Sequence, residues 1–92
     1  MSKTNEEDGW RRFIHLCKTA DPEVLDELFK AILTHTERRE IAFRMLVFRD
    51  LIRGEKTQRE IAKDLPISLA NVSRGSNVLK TMEPELRKLL VS

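Results

Sequence analysis

The sequence predicts an all-α fold: a six-helix chain that contains a helix-turn-helix and works as a homodimer. Three observations predict it. No stretch alternates apolar and polar residues as a strand would, and apolar positions recur at three- and four-residue spacing along the 92 residues. Residues 57–80 hold two helix starts with a proline between them. Residues 41–52 read as a helix that is apolar nearly all the way round, which one small chain struggles to cover.

Taken in order, residues 1–8 carry Glu6, Glu7 and Asp8 and no apolar run. They predict a short mobile N-terminal arm rather than a signal peptide, with residues 9–92 as the helical domain. Trp10, Phe13, Ile14 and Cys17 fall at i, i+3, i+4 and i+7 and predict a first helix of about three turns. Asp21-Pro22 is a start signal, a capping residue followed by proline at the first helical position. The helix it opens is expected to bury Val24, Leu25, Leu28, Phe29, Ile32 and Leu33. Thr34 and Glu37 have capping-box spacing and open the longest helix, which closes at Arg53-Gly54 with a basic residue and a glycine cap.

In the middle of that helix only Arg44, Arg49 and Asp50 interrupt Ile41, Phe43, Met45, Leu46, Val47, Phe48, Leu51 and Ile52. A helix apolar on every side is buried on every side, and a second copy of the chain is the cheaper cover. The last helix, starting near Glu83-Pro84, offers Leu86, Leu89, Leu90 and Val91 to the same interface.

Residues 57–80 have the anatomy of a helix-turn-helix. Thr57 and Glu60 form a capping box, Pro66 pushes Leu65 out of the helical region, and Ser68 caps the second helix. Ile61, Leu65, Ile67 and Val72 are the apolar residues expected to lock the pair, with Ala62 allowing close approach. The turn departs from the usual pattern, since Pro66 stands where a glycine is common. The second helix carries Asn71, Ser73, Arg74, Ser76 and Asn77, too polar for burial all round, and such a helix enters the DNA major groove. Charge agrees in sign. Residues 53–80 hold six Lys/Arg against three Asp/Glu, while residues 1–31 hold five against seven. A twofold dimer presents two such helices about 34 Å apart, matching successive major grooves of double-stranded operator DNA.

Other classes find little support. Cys17 is the single cysteine, which excludes a disulfide framework or a multi-cysteine metal site and suits a reducing cytoplasm. The longest apolar run, Met45-Leu46-Val47-Phe48, is far short of a membrane span. His15 and His35 are too far apart for a local ligand pair, and no nucleophile elbow, phosphate loop or metal spacing occurs. The expectation is a cytoplasmic, non-enzymatic protein without metal or cofactor.

From Trp10 to about Leu90 the chain resembles the bacterial tryptophan repressor family. The most specific segments are Leu51-Ile-Arg-Gly-Glu55, Thr57-Gln-Arg-Glu60 and Arg74-Gly-Ser-Asn77 followed by Leu79-Lys80. The resemblance implies an intertwined helical dimer that binds L-tryptophan as co-repressor, the indole lying between Arg44 and Arg74. It further implies that Gly75 lets the ring sit against the backbone and that Thr34 helps hold the ligand carboxylate. Carbonyls around Ala31 and Leu33 would accept from the ammonium. Val78 stands where the best-known members carry a serine for that ammonium, so the expectation is weaker recognition of the amino group. On the DNA side the resemblance implies Leu69, Ala70, Asn71 and Ser73 facing the groove, with Gln58 and Arg59 reaching phosphates and a base edge. Asn71 replaces a common threonine and Ala62 a usual lysine, which implies an altered operator. The alternative reading is a repressor-like DNA binder of the same fold that ignores tryptophan.

Overall fold

The computed structural model describes residues 5–92, and these form six helices and no strand. They are α1 (Glu6–Thr19), α2 (Pro22–Ile32), α3 (His35–Arg53), α4 (Gln58–Asp64), α5 (Leu69–Leu79) and α6 (Pro84–Val91). The chain divides into two compact units, Met1–His35 and Thr36–Ser92.

The first unit starts earlier than the apolar periodicity predicts. Asn5 caps α1: its Oδ1 accepts from the Asp8 amide at 3.0 Å, while the Asp8 carboxylate accepts from the Asn5 amide at 3.4 Å. The expected arm of residues 1–8 is thereby shortened. Residues 5–8 are the cap and first turn of α1, and residues 1–4 lie outside the described residues. Pro22 sits at the predicted N1 position of α2, but Asp21 makes no side-chain cap bond. Phe13 stacks between Trp10 and Phe29, at 5.6 and 5.7 Å between ring centres. The burial expected of α2 is not reached. Leu25, Leu28 and Phe29 are half-buried, whereas Val24 and Ile32 are exposed, and neither α1 nor α2 has a buried residue. Two amphipathic helices pressed together bury an inner seam and leave their outer faces open.

The second unit has the tightest core. Val47 from α3, Ile61 from α4 and Val72 from α5 are buried together, with Leu51, Ala62, Leu65 and Ile67 packed around them. These include all the residues expected to lock α4 to α5. α3 ends at Gly54, whose φ of +69° is the left-handed conformation that a glycine adopts without strain. α4 opens on the predicted capping box: the Thr57 hydroxyl accepts from the Glu60 amide at 3.1 Å, and the Glu60 carboxylate accepts from the Thr57 amide at 3.0 Å. Pro66 explains how the turn manages without a second glycine. Leu65 is extended, the Ile67 amide donates to the Leu65 carbonyl at 2.7 Å, and no non-glycine residue among those described has positive φ. That three-residue turn suits a central residue whose φ is held near −65°. The Ser68 hydroxyl then accepts from the Asn71 amide at 3.2 Å and starts α5.

The burial expected of α3 calls on a second copy of the chain, and the single chain covers the helix only in part. Val47 is buried, but Ile41 and Met45 are exposed in the single chain. Asp50, expected to interrupt the apolar surface, is itself buried. Its Oδ1 lies 3.0 Å from Arg49 Nη2, and its Oδ2 lies 3.8 Å from Lys56 Nζ, which also holds Asp64 at 2.9 Å. At the other end of α5, the Arg87 guanidinium of α6 donates to the Leu79 carbonyl.

Thr57→Ala removes the hydroxyl half of the α4 cap and is expected to cost about 1 kcal/mol, read as a lowered midpoint in thermal melting. Hydrogen bonds from the Thr57 backbone and side chain hold the Glu60 carboxyl below its ordinary value. Its contribution is therefore present above about pH 4.3, the unfolded value, and is lost as pH falls through the lower folded value. The stability gap between the native chain and Glu60→Gln should close across that acid window in urea titrations.

Candidate functional site

α5 carries its packing and its display on different faces. Val72, Gly75 and Leu79, at i, i+3 and i+7, are its buried residues. Leu69, Ala70, Asn71, Arg74 and Val78 are exposed. Of the residues expected to meet DNA, Leu69, Ala70 and Asn71 thus lie open on the first turn of α5, and Arg59 lies open on α4. Gln58 and Ser73 are half-buried, because the Ser73 hydroxyl donates to Gln58 Oε1 at 2.7 Å. Ser73 therefore spends its proton on a bond between the two helices rather than facing outward unengaged.

Arg44 and Arg74 line one slot between α3 and α5, with Val47, Phe48, Ile67, Asn71 and Gly75 as the other walls. The space is about 20 Å³, room for a single water molecule on that measure. Arg44, Ile67 and Asn71 also line a wider cleft of about 410 Å³, completed by Thr36, Arg39, Glu40, Phe43, Pro66 and Ser68. That volume falls within the ~300–1,000 Å³ usual for small-molecule sites. Ala31, Leu33 and Thr34 lie at the end of α2 and in the loop after it, within the first unit, and Val78 is exposed on α5. None of these four is among the residues lining the slot or the cleft.

Gly75 has a structural reason to lack a side chain. A Cβ there would meet Leu51 Cδ1 at 3.3 Å and Val47 Cγ1 at 3.4 Å, so the glycine seats α5 directly on α3. The wider cleft also brings in Arg39, Glu40 and Phe43, none of them a site residue expected from the sequence. The Arg39 guanidinium lies 5.1 Å from the centre of the Phe43 ring. Glu40 is one helical turn before Arg44, and that i,i+4 spacing is the signal that places it on the same face.

Gly75→Val adds branched bulk against Leu51 and Val47, and is expected to cost about 1–3 kcal/mol in chemical denaturation. Ser73→Ala is expected to cost about 1 kcal/mol through the lost bond to Gln58, a loss that should largely vanish in a Gln58→Ala background.

Likeness to known proteins bears on what this arrangement does. The family model described as "Trp repressor protein" matches residues 8–92. A Trp operon repressor homolog of Chlamydia trachomatis serovar D is 42% identical over 89 residues, covering 96% of this chain and 95% of that protein. Proteins of the same description from Chlamydia caviae (38% identical, 98% and 90% covered) and Vibrio vulnificus strain YJ016 (33% identical, 92% and 84% covered) are also similar.

Proposed function

The chain belongs to the Trp repressor family, a family of DNA-binding transcriptional regulators, and from that premise we propose that it is a tryptophan-dependent repressor. In this reading a homodimer binds double-stranded operator DNA through α4 and α5, and L-tryptophan is the co-repressor. The observation that carries it is the pairing of Arg44 on α3 with Arg74 on α5 across one slot. A planar guanidinium can stack on an aromatic face or pair with a carboxylate. A ligand held by both side chains ties the position of α5 to α3. Its binding free energy then becomes coupling to DNA affinity, and DNA tightens tryptophan binding by the same factor. The assignments of Ala31, Leu33 and Thr34 rest on the family likeness alone.

The dimer is supported by what the chain leaves uncovered. Trp10 is 62% exposed and Leu89 69%, and Ile14, Ile41, Met45 and Leu86 are exposed with them. α1, α2 and α6 bury no residue. Large apolar side chains left open in such number mark an association surface. No helix among the described residues is long and apolar enough to cross a membrane. The alternative is a repressor of this fold that ignores tryptophan, and the small space between Arg44 and Arg74, about 20 Å³, is what favours it.

Mobility-shift titration separates the two. With duplexes selected from a random pool, binding is expected to tighten on adding L-tryptophan and to lose that response in Arg74→Ala. Equal binding with and without the amino acid establishes the tryptophan-independent reading. Sedimentation equilibrium is expected to give twice the chain mass at micromolar concentration; a monomer there overturns the dimer.

A further inference from the structure

A side-chain hydrogen bond crosses from α5 to α4. Ser73 donates its hydroxyl proton to Gln58 Oε1 at 2.7 Å, and both residues are half-buried. A primary amide has an oxygen that only accepts and an NH2 that only donates. With Oε1 taken up by the hydroxyl, what Gln58 has left to offer is Nε2, a group with two protons and no lone pair to give. The opposite orientation of the amide would give Nε2 to Ser73 Oγ and leave an acceptor to meet a partner. Ser73 thus selects the sign of the polar group that Gln58 presents. The two residues stand 15 apart in the chain, so the selection is made by the seating of α5 on α4. Arg59, the next residue, is exposed and donor-only. Glu60 turns back to its cap, where the carboxylate accepts from the Thr57 amide at 3.0 Å. Two consecutive residues of α4 therefore offer donors. A DNA phosphate is the complement, negatively charged and able only to accept, and half or more of protein–DNA hydrogen bonds go to phosphate and sugar.

We propose that Ser73 is a positioning residue for DNA binding: it acts through Gln58, fixing the side-chain amide with Nε2 toward a backbone phosphate of the duplex. The proposal rests on the reading of α4 and α5 as the DNA-binding pair. The family likeness has Ser73 and Gln58 meeting the DNA as separate contacts, whereas their hydrogen bond makes them one unit. Two consequences distinguish the roles. A phosphate contact carries no base information, so loss of the Ser73 hydroxyl weakens binding to every duplex by the same factor. That loss is also felt only while Gln58 is there to be held.

Mobility-shift titrations of the full chain test this, using a duplex selected from a random pool and a shuffled duplex of equal length, well below each variant's melting midpoint. Gln58→Glu keeps an acceptor for the Ser73 hydroxyl, so the bond between the helices and the thermal midpoint should persist. It also puts a carboxylate where the donor meets phosphate. Its affinity for both duplexes is expected to fall about tenfold or more, the scale of a lost charge-assisted hydrogen bond. Ser73→Ala is expected to lose about fivefold on both duplexes, the scale of ordering one long side chain on binding. Ser73→Thr, which keeps the hydroxyl, should bind as the native chain does, and Ser73→Ala should cost nothing further in a Gln58→Ala background. Native affinity in Gln58→Glu overturns the outward donor, and native affinity in Ser73→Ala overturns the role of Ser73. A Ser73→Ala loss confined to the selected duplex, or undiminished in Gln58→Ala, means that Ser73 acts on the DNA itself. That outcome overturns the positioning role while leaving α4 and α5 as the DNA-binding pair. Failure of the native chain to bind either duplex overturns that reading, and the role of Ser73 with it.

Discussion

The seat of α5 on α3 is the contact on which the other features depend. Val72 is fully buried against Val47 and Ile61, and Gly75 brings the α5 backbone within van der Waals reach of Leu51 and Val47. The missing Cβ sets how near the two helices lie. That nearness brings the Arg44 and Arg74 side chains to one slot and leaves the wider cleft open beside it. A bulkier residue at position 75 would hold the helices apart, and the paired arginines would separate with them. Packing here is therefore a condition for the site rather than its background.

A second tie acts on α4. The buried Asp50 carboxylate on α3 faces Arg49 and Lys56, and Lys56 reaches on to Asp64 at the end of α4. Asp50 Oδ1 accepts from Arg49 Nε at 3.1 Å, while Oδ2 has no hydrogen bond and faces the Lys56 ammonium at 3.8 Å. The hydrogen bond to Asp64 raises the pKa of Lys56, which keeps its charge as the pH climbs past the ordinary lysine value. With the Ser73–Gln58 bond joining α4 to α5, the two helices are tied to each other and to α3 by different kinds of force. Apolar contact and charge respond oppositely to salt, which screens the exposed Lys56–Asp64 link and spares the core.

Much of this was legible in the residues. The capping box at Thr57–Glu60, the Pro22 and Pro84 starts, the Gly54 stop and the Ile61–Val72 lock are local or short-range devices, and local chemistry writes them openly. The α1 start was equally local, but the Asn5–Asp8 box lies ahead of the first apolar residue, so periodicity ran past it. Burial was harder to foresee. Composition says that Ile41, Met45 and Val24 want cover, but not whether their own chain provides it. The size of the space that Arg44 and Arg74 line depends on rotamers and helix separation, which no spacing encodes.

The arrangement of α5 has a bearing on how such a protein changes over generations. Val72, Gly75 and Leu79 alternate with Ala70, Asn71 and Arg74 along one short helix, so the positions that anchor it and those it shows to a partner hardly overlap. Substitutions on the displayed side leave the anchoring set untouched. Lineages can thus change what the displayed face meets without first finding a compensating repair in the interior.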